Sequence, residues 1–398
     1  MVRLFGVLGV AVGLVSALAA QTIEHIDPAG GFTHVVTVSD RGVKTVYVSG
    51  QVGRGDDYRM HVESAFSSVV RRLQQAGATV NDVVKMRAFV KNLTPDLYGP
   101  LAEVRRQTFP EGSWPASTVA GVQALALDSL LVEVEVVAVV AEDGVDLSIE
   151  RFAPSNGFSG AVAVTAHGVT TVYVSGQVGE GEGLTAQTGS VWARIGQRLE
   201  EAGASHADLV KTNIYIVDLD PASDLPAYRA GIPAVVSNLE QKPASTLLGI
   251  PALASDRFLV EVDAVAVVGA HGEAVEREFI DPMGSFTQVV TTRGSGPKTV
   301  YLSGQVGRPG DSLSAQATQV YTNLSRRLEA AGGALADLLK ATVYIRGYRD
   351  EDLQVLGPIR EAHGFTDGRA PASTLLGIQS LYSSEAAIEV EGVAVIGR

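Results

Sequence analysis

Val46-Tyr47-Val48-Ser49-Gly50-Gln51-Val52-Gly53 recurs as Val172-Tyr173-Val174-Ser175-Gly176-Gln177-Val178-Gly179 and again as Val300-Tyr301-Leu302-Ser303-Gly304-Gln305-Val306-Gly307, at spacings of 126 and 128 residues. The same period continues outward: Pro115-Ala116-Ser117-Thr118, Pro243-Ala244-Ser245-Thr246 and Pro371-Ala372-Ser373-Thr374 stand 128 and 128 apart. Such a period is far above the roughly 20 to 50 residues of solenoids and propellers, so each copy is expected to be a domain with its own core. The chain is 398 residues long, and three periods leave no room for a separate catalytic domain. The expected organisation is a leader at residues 1–20, then domains at 21–142, 143–270 and 271–398.

The leader is read from Met1-Val2-Arg3, an uncharged apolar run from Leu4 to Leu18, and small residues at Ala17-Leu18-Ala19 followed by Ala20-Gln21. This is the pattern of a secretory signal peptide, and the run is short for a membrane span. The expected location is periplasmic or secreted, with no stable membrane association after cleavage.

Each copy has the same outline. A first strand follows Gly31-Phe32, a turn at Asp40-Arg41-Gly42 leads to a second strand at Thr45 to Ser49, and a helix ends at Arg72-Leu73-Gln74-Gln75-Ala76-Gly77, the glycine marking a C-cap. Lys85 to Val90 reads as a third strand, Leu101 to Thr108 as part of a second helix, then come the Pro-Ala-Ser-Thr strand and a last strand at Leu131 to Val140. Ala141 to Ile149 and Gly269 to Glu276 read as linkers. The fold class is α+β: per domain, a mixed sheet with two helices on one face.

Lys+Arg 31 against Asp+Glu 44 gives a net charge of −13, which opposes a phosphate backbone, so no nucleic-acid partner is expected. The chain has no cysteine, which excludes disulfides and thiolate chemistry. Its seven histidines fall at different places in the three copies, so a repeated triad or histidine metal cage is not expected. Neither a cofactor nor a metal is read from the sequence.

The last strand carries paired carboxylates, Glu133/Glu135, Glu261/Asp263 and Glu389/Glu391, spaced to share one face while Val132, Val134 and Val136 take the other. That face either meets solvent or lines a cleft, where burial would raise a carboxylate pKa and suit it to activating water. Ser49-Gly50, Ser175-Gly176 and Ser303-Gly304 read equally as a bulge or strand exit, or as a ligand-facing pair. Lys85, Lys211 and Lys340 repeat as well, and read as solvated stems.

The order of these motifs, from Tyr-Val-Ser-Gly-Gln-Val-Gly through Asp208 to Leu219 and the closing Val260 to Val267, resembles the Rid family, the YjgF-type reactive intermediate deaminases. The resemblance implies chorismate-mutase-like α+β domains, trimers with a pocket at each interface, and hydrolysis of enamine or imine intermediates to a keto acid and ammonia. Carried over position by position, it implies Phe32, Phe158 and Phe286 as the pocket aromatic, the three Ser-Gly pairs as substrate contacts, and Glu133, Glu261 and Glu389 as the catalytic carboxylates that position water. The arginine that clamps a substrate carboxylate in the family falls on Ser117, Ser245 and Ser373, so all three copies depart from the pattern. A serine replaces neither the charge nor the fork of a guanidinium, and the pocket is expected to suit a neutral or cationic small ligand.

Three linked copies are expected to form the ring within one chain, a monomeric pseudo-trimer. The functional expectation is a hydrolase acting on a small imine or enamine; the alternatives are a non-catalytic small-molecule binder or scaffold and, third, an endoribonuclease.

Overall fold

A computed structural model describes residues 21–366 and 368–397; the leader read at residues 1–20 lies outside them. The first copy runs β1 (Thr22–Pro28), β2 (Thr33–Asp40), β3 (Val43–Val52), α1 (Tyr58–Gln75), β4 (Val83–Lys91), α2 (Pro95–Thr108), β5 (Ala116–Val122) and β6 (Val132–Ala141). The second runs β7 (Ser148–Ser155), β8 (Phe158–Ala166), β9 (Val169–Val178), α3 (Gly183–Glu201), β10 (Leu209–Val217), α4 (Asp224–Gly231), α5 (Ala234–Ser237), β11 (Ala244–Ile250) and β12 (Val260–Gly269). The third runs β13 (Glu276–Pro282), β14 (Thr287–Arg293), β15 (Lys298–Val306), α6 (Leu313–Ala330), β16 (Leu338–Arg346), α7 (Asp352–Ala362), β17 (Ala372–Ile378), the short β18 (Ser380–Leu381) and β19 (Ile388–Ile396).

Within the first copy the strand order is β1-β2-β3-β6-β4-β5, antiparallel except for the β4–β5 pair. Both helices lie on one face: Val62, Phe66, Val69 and Leu73 of α1 and Leu101 and Val104 of α2 join Val132, Val134 and Val136 in a single core. Asp57 caps α1 by accepting from the Met60 amide, and the helix runs out at Gly77, whose φ of +69° supplies the left-handed exit. Gly203 and Gly332 do the same at φ +74° and +87°.

The structure adds an opening strand to each copy of the outline read from sequence, and the short β18 to the third. β1, β7 and β13 precede the first expected strand, and β6 and β12 run on into both stretches read as linkers. These opening strands pair on one side only, with β2, β8 and β14, and their exposed positions carry Glu24, Asp27, Glu150, Glu276 and Glu278. A polar edge strand has the composition of a linker, which hides it.

The three copies close a ring through equivalent backbone contacts. Ser159 donates to the Pro115 carbonyl (2.9 Å), Thr287 to that of Pro243 (3.0 Å) and Thr33 to that of Pro371 (3.0 Å). The third contact joins the end of the chain to its beginning, so the ring is intramolecular. Each sheet therefore buries its second face against its neighbours, and Val36, Tyr47, Leu339, Ala372 and Val395 form one such interface core.

Candidate functional site

Burial of both sheet faces decides what the paired carboxylates become. Along β6, alternation sends Val132, Val134 and Val136 to the helices and Glu133 and Glu135 into the ring, where they are 3% and 5% exposed. Of the two readings of this strand, solvent face or cleft, the structure gives the cleft. Glu261, Asp263, Glu389 and Glu391 are buried likewise.

The two members of each pair meet different surroundings. The inner members tie the ring together: Lys85 reaches Asp263 (2.6 Å), Lys211 reaches Glu391 (2.7 Å) and Lys340 reaches Glu135 (2.6 Å), each lysine pairing with the next copy in cyclic order. The lysines are thus interface cations, contrary to the solvated stems expected from sequence, because the strand face they share with the carboxylates is covered by a neighbouring sheet. Arg87, found at this position only in the first copy, spans the axis to Glu135 (2.5 Å), Glu391 (3.1 Å) and Thr342 (3.0 Å). Burial pushes Glu135 up, but Arg87 and Lys340 outweigh it and hold the carboxyl at about 2. Glu391 is held well below the usual range by the same balance, with Lys211 and Arg87 opposing burial.

The outer members lack such partners. Burial pushes Glu133, Glu261 and Glu389 each up to about 8, and Oε2 of Glu133 and Oε2 of Glu389 make no hydrogen bond within the protein. Each lies against the glycine of a Ser-Gly pair. A Cβ on Gly50, Gly176 or Gly304 would stand 1.6, 1.7 or 1.6 Å from the carboxylate oxygen of Glu133, Glu261 or Glu389.

Ser49-Gly50 sits in a β-bulge, since the β3–β6 register shifts between Val48 and Gln51, and the strand continues to Val52 rather than ending. The bulge turns the serine toward the adjoining copy. Ser49 Oγ donates to the Thr33 carbonyl (2.5 Å) and accepts from the Ser373 amide (2.8 Å). Ser175 does the same with Ser159 and Ser117, and Ser303 with Thr287 and Ser245. These hydroxyl protons are committed to the backbone, so the serines hold the interface and do not offer a donor to a ligand.

At each interface the Phe, Gly and Glu of one copy face the Pro-Ala-Ser-Thr strand of the preceding one, and at two of the interfaces they border a cavity. The interfaces differ in what meets the strand serine. Between the third and first copies, Arg360 of α7 donates to Ser373 Oγ (3.2 Å) and borders a cavity of about 530 Å³ with Phe32, Gly50 and Glu133. Between the first and second, Arg105 of α2 donates to Ser117 Oγ (3.1 Å) and lies over the Phe158 ring at 5.1 Å. Between the second and third, Ser245 Oγ accepts from Thr212 (3.1 Å) and no guanidinium among the described residues bonds to it; Phe286, Gly304 and Glu389 border a cavity of about 650 Å³ whose lining also includes the exposed Arg229. A helix arginine thus stands beside the strand serine at two interfaces, Arg105 at Ser117 and Arg360 at Ser373, and Arg360 borders a cavity, so that cavity is not free of arginine as expected from sequence.

A sequence description of the Endoribonuclease L-PSP family matches residues 22–140, 148–268 and 276–396. The chain belongs to this family. Each match covers one copy from first strand to last, in agreement with the YjgF/Rid resemblance of its motifs. A 2-iminobutanoate/2-iminopropanoate deaminase of Dermatophagoides farinae is 29% identical over 122 residues, which is 29% of this chain and 88% of that protein. A YjgF/YER057c/UK114 family member from Mycobacterium tuberculosis is 30% identical and matches over 30% of this chain and all of its own, with a TM-score of 0.27. A chorismatase structure covers 79% of this chain and 93% of its own at a TM-score of 0.50 and 16% identity, a likeness of fold.

Within this family frame, comparing the three copies by sequence misses the helix arginines because they do not align. Arg105 stands five residues after Pro100 and Arg360 two after Pro358, in helices of 14 and 11 residues. Their guanidiniums nevertheless converge because each helix ends over its own strand serine. No cluster of three or more His, Cys, Asp or Glu side chains suited to a metal occurs among the described residues.

Proposed function

We propose that the chain is a Rid-type deaminase that hydrolyses small imines or enamines in the pockets between its copies, with Glu133, Glu261 and Glu389 as the proton carriers. The observation that carries this is the state of those glutamates: burial pushes each up to about 8, so each is a carboxylic acid near neutral pH, with its conjugate base within reach. The acid donates its proton to the imine nitrogen. The carboxylate left behind takes a proton from water as the water oxygen bonds to the imine carbon, giving a carbinolamine. That proton passes to nitrogen, the C–N bond breaks with its electrons leaving on ammonia, and the oxygen closes the carbonyl as the carboxylate recovers its proton. An enamine enters after protonation at its β-carbon. The activity named for the mite relative, deamination of 2-iminobutanoate and 2-iminopropanoate, supports this reaction class. Release of ammonia from generated imines tests it.

A second reading, a small-molecule binder without turnover, draws support from the serines, whose protons are committed to carbonyls and leave the glutamate as the main proton source. Recovery of a bound metabolite without ammonia release would favour it. Endoribonuclease activity, which the family description names, is opposed by the net charge of −13.

We further propose domains at 21–142, 143–270 and 271–398, an exported location following from the leader, and a monomer in solution. Light scattering tests the last: one chain is 41.6 kDa, and a mass of three chains would contradict it.

A further inference from the structure

The three interfaces share a plan but not a chemistry. At the cavity between the third and first copies the buried Arg360 is joined by the exposed Arg54 and Arg71 and by Arg72, which is paired with Asp27. The cavity between the second and third copies has another wall. Trp192, Tyr228, Leu247 and Phe286 line it, and Met283 and Tyr382 border it with 54% and 42% of their surface exposed. Its strand serine faces Thr212 instead of a guanidinium. The Lys242 ammonium is already held by the Ser237 and Leu239 carbonyls (3.0 and 2.7 Å), and Arg229 lies in water at the mouth.

The cause is local. Where the first and third copies carry one helix ahead of the Pro-Ala-Ser-Thr strand, the second carries two short ones, α4 and α5, parted at Ile232-Pro233. A proline cannot donate the next helical hydrogen bond, so the chain turns away and no side chain replaces the guanidinium. The Trp192 indole N–H and the Tyr228 hydroxyl lie beside one another, buried in the apolar wall, and Oε2 of Glu389 is buried with no hydrogen-bond partner among the described residues. An apolar cavity of several hundred Å³ with a few polar groups is the ordinary form of a small-molecule site.

We infer that the cavity between the second and third copies binds an uncharged aromatic molecule, whereas its counterpart between the third and first copies is furnished for an anion. The aromatic walls take the ring, and the Glu389 carboxyl is the polar group of the wall left to meet the ligand's own. An anionic group meets no guanidinium at the strand serine there, where Thr212 stands instead. The chain is thus a carrier of pockets with divided specificity, which a ring of identical subunits cannot be.

The test compares 4-phenylbutanamide with 4-phenylbutanoate, alike in shape and different in charge. Only two tryptophans occur, Trp114 and Trp192, so Trp114→Phe leaves Trp192 as the reporter without touching the cavity. Titration of this full-length variant is expected to change the Trp192 emission saturably with one amide per chain by calorimetry, at least about tenfold tighter than the carboxylate. Equal or tighter binding of the carboxylate, no binding of the amide, or amide binding that leaves Trp192 emission unchanged would overturn the inference. Binding is read without turnover, so failure of the deaminase reading leaves this result interpretable.

Discussion

Gly50 lies so close beneath Glu133 that a methyl group on its Cα would stand 1.6 Å from the carboxylate oxygen. The glycine makes room for the acid above it, since the bulge brings the backbone against the buried Glu133 side chain. Gly50→Ala is therefore expected to displace Glu133 and to destabilise the fold by about 1–3 kcal/mol, the usual cost of overpacking. Chemical denaturation checks the stability. A variant as stable as the parent would show that the contact is not close-packed in solution.

The cyclic pairs Lys85–Asp263, Lys211–Glu391 and Lys340–Glu135 should behave as buried ion pairs. Removing one partner strands a charge, so Lys340→Met is expected to cost about 3–5 kcal/mol. Replacing both partners removes the stranded charge, and Lys340→Met with Glu135→Leu should recover part of that loss, though Arg87 then loses one of its acceptors. Urea midpoints for the parent, the single and the double variant decide this; a double variant no better than the single one would count against the pairing.

The outer and inner carboxylates should give opposite pH dependences. Glu133, Glu261 and Glu389 sit at about 8 in the fold against an ordinary 4.5, so the native state holds more protons than the unfolded chain between those values. Stability then falls as pH rises from about 4.5 to about 8 and levels off above. Glu135, held at about 2, contributes stability that is complete above its ordinary 4.5 and lost as pH falls toward 2. Melting temperature is thus expected to peak in mild acid and decline toward pH 8. Glu133→Gln, Glu261→Gln and Glu389→Gln combined should flatten that decline; an unchanged slope would mean the glutamates are not its source.

The triplication and the α+β unit could be read from the repeats, because each copy carries the same order of strand and helix signals, whereas the ring was implied by the family resemblance. The opening strands could not, since an edge strand with Glu24 and Asp27 outward looks like a linker. At the site, Phe32, Gly50 and Glu133 border one cavity between copies and Phe286, Gly304 and Glu389 another. The serines were harder: sequence shows a hydroxyl but not that Thr33 and Ser373 have already engaged it. Arg105 and Arg360 were hidden because their convergence depends on helix length and exit, which differ from copy to copy. Lys85, Lys211 and Lys340 were misread for a related reason, since a lysine on a strand becomes an interface cation only once the neighbouring copy is in place.

Ammonia release at pH 7 from imines generated in situ, compared between the parent and the combined Glu133→Gln, Glu261→Gln and Glu389→Gln variant, bears most directly on the proposed chemistry. If these buried acids carry the protons, the parent turns over at least one imine and the folded variant is slower by about a hundredfold or more. Turnover that survives the triple substitution unchanged would contradict it.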